Sequence, residues 1–394
     1  MNAIPRILDL SRRYREDTAA ALSELVKIPS LSCREKEVAA KLAGQMRAAG
    51  FDEVAIDGLG NVIGRIGRGP RILAFDGHID TVDVGNPANW IEDPFSGAIR
   101  DGFVHGRGAA DQKGGAAAMV TAGRILKEIG FDRDLTLYFV GSVMEEDCDG
   151  LCWKYIIEED GIRPDAVVIT EPTDGGLYRG QRGRMEIEVE FKGVSAHGSA
   201  PERGKNAIYM AARASLAAER LNERLAVDEF LGKGSVALSQ FVSGSPSLCA
   251  VADYARIHLD RRLTWGETRE SAVAEIKAIV QGEEAKVFVL DYEEAAYTGR
   301  RYGMEKYYPT WKWPEEHPAV GAGAGAYAAL FGRPPRIGKW TFSTNAVTIS
   351  GVYGIPAIGF GPGAEAMAHA PNEKTPVDDL VNAAAFYAAY AISF

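Results

Sequence analysis

The 394-residue sequence predicts an α/β protein: a mixed-sheet unit interrupted by an inserted α+β unit of ferredoxin-like order. Three observations predict it. Apolar strand-like runs alternate with amphipathic stretches as far as Gly180, the pattern then changes to a β-α-β-β-α-β order, and the first rhythm afterwards resumes. That order assigns residues 1–180 and 298–394 to one unit and 181–297 to a second. Length agrees, because 394 residues exceed one ordinary core.

In chain order, an amphipathic helix is expected over 7–26, ended by Pro29, and another over 35–49, ended by Gly50. Strands are expected over 62–66, 72–76, 135–143 and 166–170, with a helix of small residues running from Lys113 to 129. In the insertion Met185, Ile187, Val189 and Phe191 alternate with Glu186, Glu188, Glu190 and Lys192, which reads as a strand with one wet face. A helix over 206–225 follows, with Asn206 as its N-cap. Strands over 235–242 and 254–261, a helix over 267–280 and a strand over 286–290 complete the unit. The aromatic-basic stretch 297–313 reads as a connection. A helix over 319–330, a Gly-Pro-rich strand end at 355–363 and a last helix over 377–391 close the chain. The alternation GAGAGA at 321–326 marks close helix packing rather than a repeat.

Composition excludes several classes. A net charge of −10 argues against a nucleic-acid or anionic-membrane partner. No run approaches the roughly 20 apolar residues that span a bilayer, and the start shows no secretory pattern. Four cysteines in so long a chain make no disulfide framework; Cys148 and Cys152 lack a second pair for a Cys-type zinc site and read as packed thiols. The expectation is a cytoplasmic protein.

The chemistry concentrates in a few places. In ILAFDGHIDTV (72–82), His78 and Asp80 end a strand two residues apart and so share a side, which suits a metal-binding imidazole steered by a carboxylate. Asp111 follows a Gly-rich turn in GRGAADQKGG, whose glycines let the backbone bend sharply. Glu146, Glu171 and His369 stand at comparable strand ends or turns. One such residue is ordinarily a surface charge or cap, but a cluster of His and carboxylate side chains suits divalent cations.

These segments, together with IPS (28–30), EEDCDGLCW (145–153), RGQRGRMEI (179–187) and AHAPNEKT (368–375), resemble the M20 metallohydrolases. That group includes acetylornithine deacetylase, succinyl-diaminopimelate desuccinylase, aminoacylase and the glutamate-releasing carboxypeptidases. Within it the chain is most similar to the YgeY-type, selenium-metabolism-linked branch, and the likeness spans nearly the whole chain. The resemblance implies a zinc-peptidase-like catalytic domain with an inserted lid and dimerisation domain.

It further implies two divalent metal ions, zinc first and cobalt or manganese as alternatives. Asp111 would bridge them, with Glu146 and His369 on one ion and His78 and Glu171 on the other. Three carboxylates against two divalent ions leave room for one hydroxide. Glu145 becomes the general base, Asp80 the group orienting His78. His197, in GVSAHGSAPERG, becomes an oxyanion donor reaching the active site of a second copy, which requires a homodimer through the lid.

Arg262, in LDRRLTWGET, matches a position that binds substrate carboxylate, and a salt bridge to Asp260 or Glu267 is its alternative. Arg182, beside Gly183, is a second candidate. Asn345, in FSTNA, replaces an acid of relatives, and Cys249 replaces an asparagine; both changes bear on substrate choice. His105, His258 and His317 read as structural or capping residues. The expected activity is hydrolysis of an amide or peptide bond in a small carboxylate-bearing substrate, as a deacylase or peptidase, by attack of hydroxide held on the metals. A non-catalytic metal-binding or scaffold protein is the competing class. A Ser or Cys nucleophile is disfavoured, since no G-x-S-x-G elbow is present.

Overall fold

The computed structural model describes residues 3–394. The expected first helix is two, α1 (Ile4–Arg13) and α2 (Arg15–Val26). Tyr14 between them leaves helical geometry, at φ −88° and ψ 13°, and its ring packs 3.8 Å from the Arg124 guanidinium. Helix α3 (Lys36–Ala48) ends before Gly50, whose φ is +82°.

The strands of the main body follow as β1 (Glu53–Ile56), β2 (Val62–Ile66), β3 (Arg71–His78), β4 (Ile99–Arg100) and β5 (Phe103–His105). Next come α4 (Lys113–Glu128), β6 (Leu135–Ser142), α5 (Leu151–Glu158), β7 (Ala166–Ile169) and β8 (Leu177–Gln181). The insertion carries β9 (Gly183–Lys192), α6 (Ala207–Arg224), the hairpin β10 (Val227–Asp228) and β11 (Gly232–Lys233), then β12 (Ser235–Gly244), β13 (Tyr254–Leu263), α7 (Arg269–Ile279) and β14 (Ala285–Val289). The return brings β15 (Asp291–Tyr292), β16 (Met304–Glu305), β17 (Tyr307–Tyr308), β18 (Trp311–Lys312), α8 (Pro318–Phe331), β19 (Ile337–Trp340), β20 (Ala357–Gly359), β21 (Lys374–Pro376) and α9 (Val377–Ser393).

The large sheet runs β1-β2-β6-β3-β7-β20-β8-β18, with β19 also on β8. It is mixed, as expected: β6, β3, β7 and β20 are mutually parallel, while the β1, β2 and β18 pairings are antiparallel. Helices α1, α2, α4, α8 and α9 pack on one another, and α4 also lies against β3. Buried apolar residues gather in two clusters. One contains Phe75, Phe139, Trp153 and Phe386; the other is built from β9, β13, α6 and α7.

The second sheet runs β12-β13-β9-β14, with β17 on β9, all antiparallel. Asn206 caps α6 as expected, accepting from the amides of Ile208 and Tyr209. One expectation fails in part here. Glu186 and Glu188 are only 6% and 7% exposed, so the other face of β9 is wet only toward its end, at half-buried Glu190 and exposed Lys192. Arg184, Lys306 and His258 surround Glu186 and compensate its charge. Lys306 comes from the stretch expected as a plain connection, which adds β17 to β9 and β18 to β8. Among the described residues no helix is long and apolar enough to cross a membrane.

Candidate metal centre

Parallel pairing makes the site. His78 closes β3 opposite Ser142, the last residue of β6, and Asp76 pairs with Ile169, the last of β7. Carboxyl ends of neighbouring parallel strands therefore release Glu145–Glu146 and Glu171 beside His78, the usual place for a ligand in such sheets. Asp111 arrives from the turn before α4. A Cβ on Gly115 in the first turn of α4 would lie 2.1 Å from the Thr170 hydroxyl, so glycine there admits the close approach to β7. His369 comes from the loop before β21, with a φ of +58°.

Asp111 spans the two imidazoles. Its Oδ1 is 2.9 Å from His78 Nε2 and its Oδ2 is 3.4 Å from His369 Nε2. Glu171 lies 3.4 Å from His78 Nε2, and Glu146 2.9 Å from His369 Nε2. Glu145 approaches His78 Nε2 to 3.9 Å. Two groups, His78 with Glu145 and Glu171, and His78 with Asp111 and Glu146, bring ligand atoms within 4.8 Å of one another.

The chemistry of this set fits cations. His78 Nδ1 faces the Asp80 main-chain carbonyl at 3.0 Å and so must donate to it. In a neutral ring Nε2 is then a lone pair, aimed at three carboxylates. Only a proton or a metal ion resolves that contact. Buried oxygens Glu145 Oε1 and Glu171 Oε2 also lack any partner.

Titration repeats the point. Burial, reinforced by Asp111, lifts Glu171 to about 8 and Glu146 to about 7. Burial also raises Glu145 well above the usual carboxylate range, against the pull of His78. Burial opposes ionisation of Asp111 too, but its bonds to His369 and His78 win and lower it. His369 rises to about 10 through Asp111 and Glu146; His78 rises although burial resists, because Glu145 and the bonds to Asp111 outweigh it. Acids hold protons and imidazoles hold charge where cations would otherwise supply it.

Other expected residues sit differently. Asp80 meets His78 Nδ1 twice, with its main-chain carbonyl at 3.0 Å and its carboxylate Oδ1 at 3.5 Å, while Oδ2 accepts from Ser32 Oγ and the Glu146 amide. Asn345 is 1% exposed and does not line the cavity; it binds Asp76 and Ser142 through Nδ2 and accepts from Gly150 and Cys152 through Oδ1. A buried amide with all these bonds is a cross-brace, not a substrate contact. Arg182 also lies outside the cavity lining and donates to the Lys233 carbonyl.

Arg262 does line the cavity, yet both Asp260 oxygens hold it, at 2.7 and 3.1 Å. Opposite it in register stands Arg184, which the sequence reading missed, in the same wall and bonded to Asp149 and Glu186. Period-two spacing along β9 was its signal, because it puts Arg184 on the face of Glu186. His197 is exposed, bound through Nδ1 to Ser199, and does not line the cavity of its own chain. Cys148 and Cys152 are packed thiols as expected, the former pushed up to about 12 by burial, whereas Cys249 is exposed.

The cavity over this centre has a volume of about 260 Å³, with Phe342, Ser343, Asp149 and Glu365 in its walls. The model for peptidase family M20/M25/M40 matches residues 74–393. The chain belongs to the M20 peptidase family. This M20 chain is 53% identical to the protein YgeY of Escherichia coli (strain K12), over 98% of its own length and 97% of that protein's. It is 30% identical to a succinyl-diaminopimelate desuccinylase of Cereibacter sphaeroides, over 69% of this chain and 77% of the relative. The crystal structure of aminopeptidase PepT from Bacillus cereus superposes with a TM-score of 0.73 at 25% identity, covering 96% of this chain and 98% of that one. As an M20 member the chain is a hydrolase acting on C–N bonds.

Proposed function

We propose that this M20 chain is a dinuclear metal-dependent hydrolase that cleaves an amide or peptide bond in a small, carboxylate-bearing substrate. One observation carries the reading: Asp111 offers one oxygen toward His78 and the other toward His369, each imidazole with its own further carboxylate. His78 and Glu171 would hold one ion, Glu146 and His369 the other, and Asp111 would serve both. Zinc suits the nitrogen and carboxylate donors, as cobalt and manganese do. Bound there, two such ions would supply an acidified water and a Lewis acid for the scissile carbonyl.

Glu145 would hold the proton of the attacking water and pass it to the leaving nitrogen. Its longer distance to His78 Nε2, 3.9 Å against 2.9 Å for Asp111 and 3.4 Å for Glu171, supports that role. Asp80 acts through its main chain on His78 and through its carboxylate on the Glu146 amide. Arg262 meets the substrate carboxylate once Asp260 shares it.

Residues 181–297 serve as lid and dimerisation unit, and residues 1–180 with 298–394 as the catalytic body. Edge strand β12 supports the homodimer. It is ten residues long, its far side is unpaired among the described strands, and Leu238, Phe241 and Val242 on it are 43%, 40% and 38% exposed. Such an edge is a template for pairing with a second copy. His197, exposed and away from its own cavity, then donates to the oxyanion in the other copy's site. We place the enzyme in the cytoplasm, acting on small molecules.

The test is hydrolysis of N-acyl amino acids and dipeptides by metal-loaded protein, with zinc, cobalt or manganese supplied. Chelator-sensitive release of an amine is the expected result. Bound metal with no turnover on any amide would establish a scaffold instead.

A further inference from the structure

Glu373 is a carboxylate with no outlet to solvent, 0% exposed, close behind Asp111. All its acceptor capacity is used. Oε1 takes the amides of Ala110 and Asp111 at 2.7 and 3.0 Å; Oε2 takes the Gly108 amide at 3.0 Å and Arg107 Nη1 at 2.7 Å. Its own carbonyl accepts from the Gly106 amide at 2.8 Å. The whole turn before Asp111 is thus wrapped around one side chain. Arg107, itself 2% exposed, reaches the other way with Nη2, to the carbonyls of His369 at 3.3 Å and Asp83 at 3.4 Å.

The two imidazoles are placed by different means. His78 is the end of a strand paired on both sides, and Glu171 follows a strand of the same ladder. His369 sits on an irregular loop, 56% exposed, in a left-handed conformation. A planar guanidinium held by a buried carboxylate is a rigid brace for such a loop. A second acid beside an already acidic cluster is otherwise costly, since buried charge needs compensation.

We propose that Arg107 and Glu373 are positioning residues that fix the spacing of Asp111 and His369, so that uptake of the ion shared by His369 and Glu146 depends on them. This rests on the metal reading of the centre. Uptake of the ion at His78 and Glu171 depends on the brace less, through the shared Asp111 alone, because the sheet sets the other two residues.

Stepwise cobalt titration, followed by calorimetry and visible absorption, tests it. His369→Ala first identifies which of two parental steps belongs to His369. In Glu373→Gln, which keeps the side chain's shape and loses the second acceptor oxygen, that same step should weaken by roughly 10–100-fold, with the other step weakened clearly less. Should Glu373→Gln fail to fold, Arg107→Lys carries the same expectation, because it keeps the charge pair and loses the fork to the His369 carbonyl. Equal weakening of both steps, weakening of the other step alone, or no change overturns the brace. A parental chain with no second cobalt step overturns the metal reading itself.

Discussion

Glu145 and the proposed metal ligands crowd the same few ångströms, and their roles are separable by experiment. Glu145 Oε2 lies 3.9 Å from His78 Nε2, farther than Asp111 or Glu171, and Oε1 has no partner. The greater distance suits a base rather than a ligand, since Glu171 Oε2 lacks a partner too. Glu145→Ala should therefore lower kcat by about 10²–10⁴-fold while metal analysis still finds two ions per chain. Loss of one ion would make Glu145 a ligand. Protonation gives an independent handle. Without metal, Glu146 and Glu171 hold protons up to about 7 and about 8, so a divalent ion must displace them. Affinity for zinc should rise from pH 6.5 to pH 8.5, with proton release seen as a buffer-dependent heat of binding. An affinity independent of pH would count against this centre. Much here was legible in the chain, though not from single residues: His78, Asp111, Glu146, Glu171 and His369 stand at strand ends or turns, and the likeness to M20 metallohydrolases implied their roles. Arg184 and Glu373 were not. Their importance comes from what other segments bring to them, which no local pattern records.

At the scale of elements, the loop from Ser30 to Glu35 ties the strand ends that deliver the ligands. Ser30 Oγ donates to the Ile79 carbonyl, Ser32 Oγ donates to Asp80, and one Glu35 oxygen accepts the amides of Cys33 and Met144. Met144, at φ +60°, immediately precedes Glu145, so Glu35 holds the turn that presents the proposed base. Burial, with Asp80 adding to it, lifts Glu35 to about 8. A carboxyl raised in the folded state lends stability that is complete below its unfolded value of about 4.5 and is lost as pH rises through 8. Glu35→Gln keeps the neutral shape and an acceptor oxygen, so near pH 9 it should be more stable than the parent by roughly 1–3 kcal/mol, and near pH 5 no more stable. Calorimetric melting at both pH values decides; equal differences at the two would refute it. The long periodic elements β2, β6, α4, α7 and α9 could be read within a few residues, since their apolar spacing is local. The short strands β15 to β18 could not, because tertiary pairing alone makes them strands.

At the scale of the whole molecule, one chain brings together every expected ligand yet leaves His197 exposed and outside its own cavity. The second sheet meanwhile offers the open edge of β12, and α6 beside it exposes Tyr209 and Leu216 at 65% and 55%. Pairing two such edges around a twofold axis would bury both at once. If His197 serves the second copy, every complete site contains a body from one chain and a histidine from the other. His197→Ala and Glu145→Ala homodimers are then both inactive, for different reasons. Mixed dimers differ, because the body of the His197→Ala chain meets an intact His197 on the Glu145→Ala chain. Random reassortment at equal concentrations makes half the dimers mixed, each with one intact site, so about one quarter of parental activity should return. A histidine serving its own chain predicts none, because no subunit in the mixture then has both groups. Activity measured after unfolding and refolding the two variants together, against each refolded alone, separates the two arrangements.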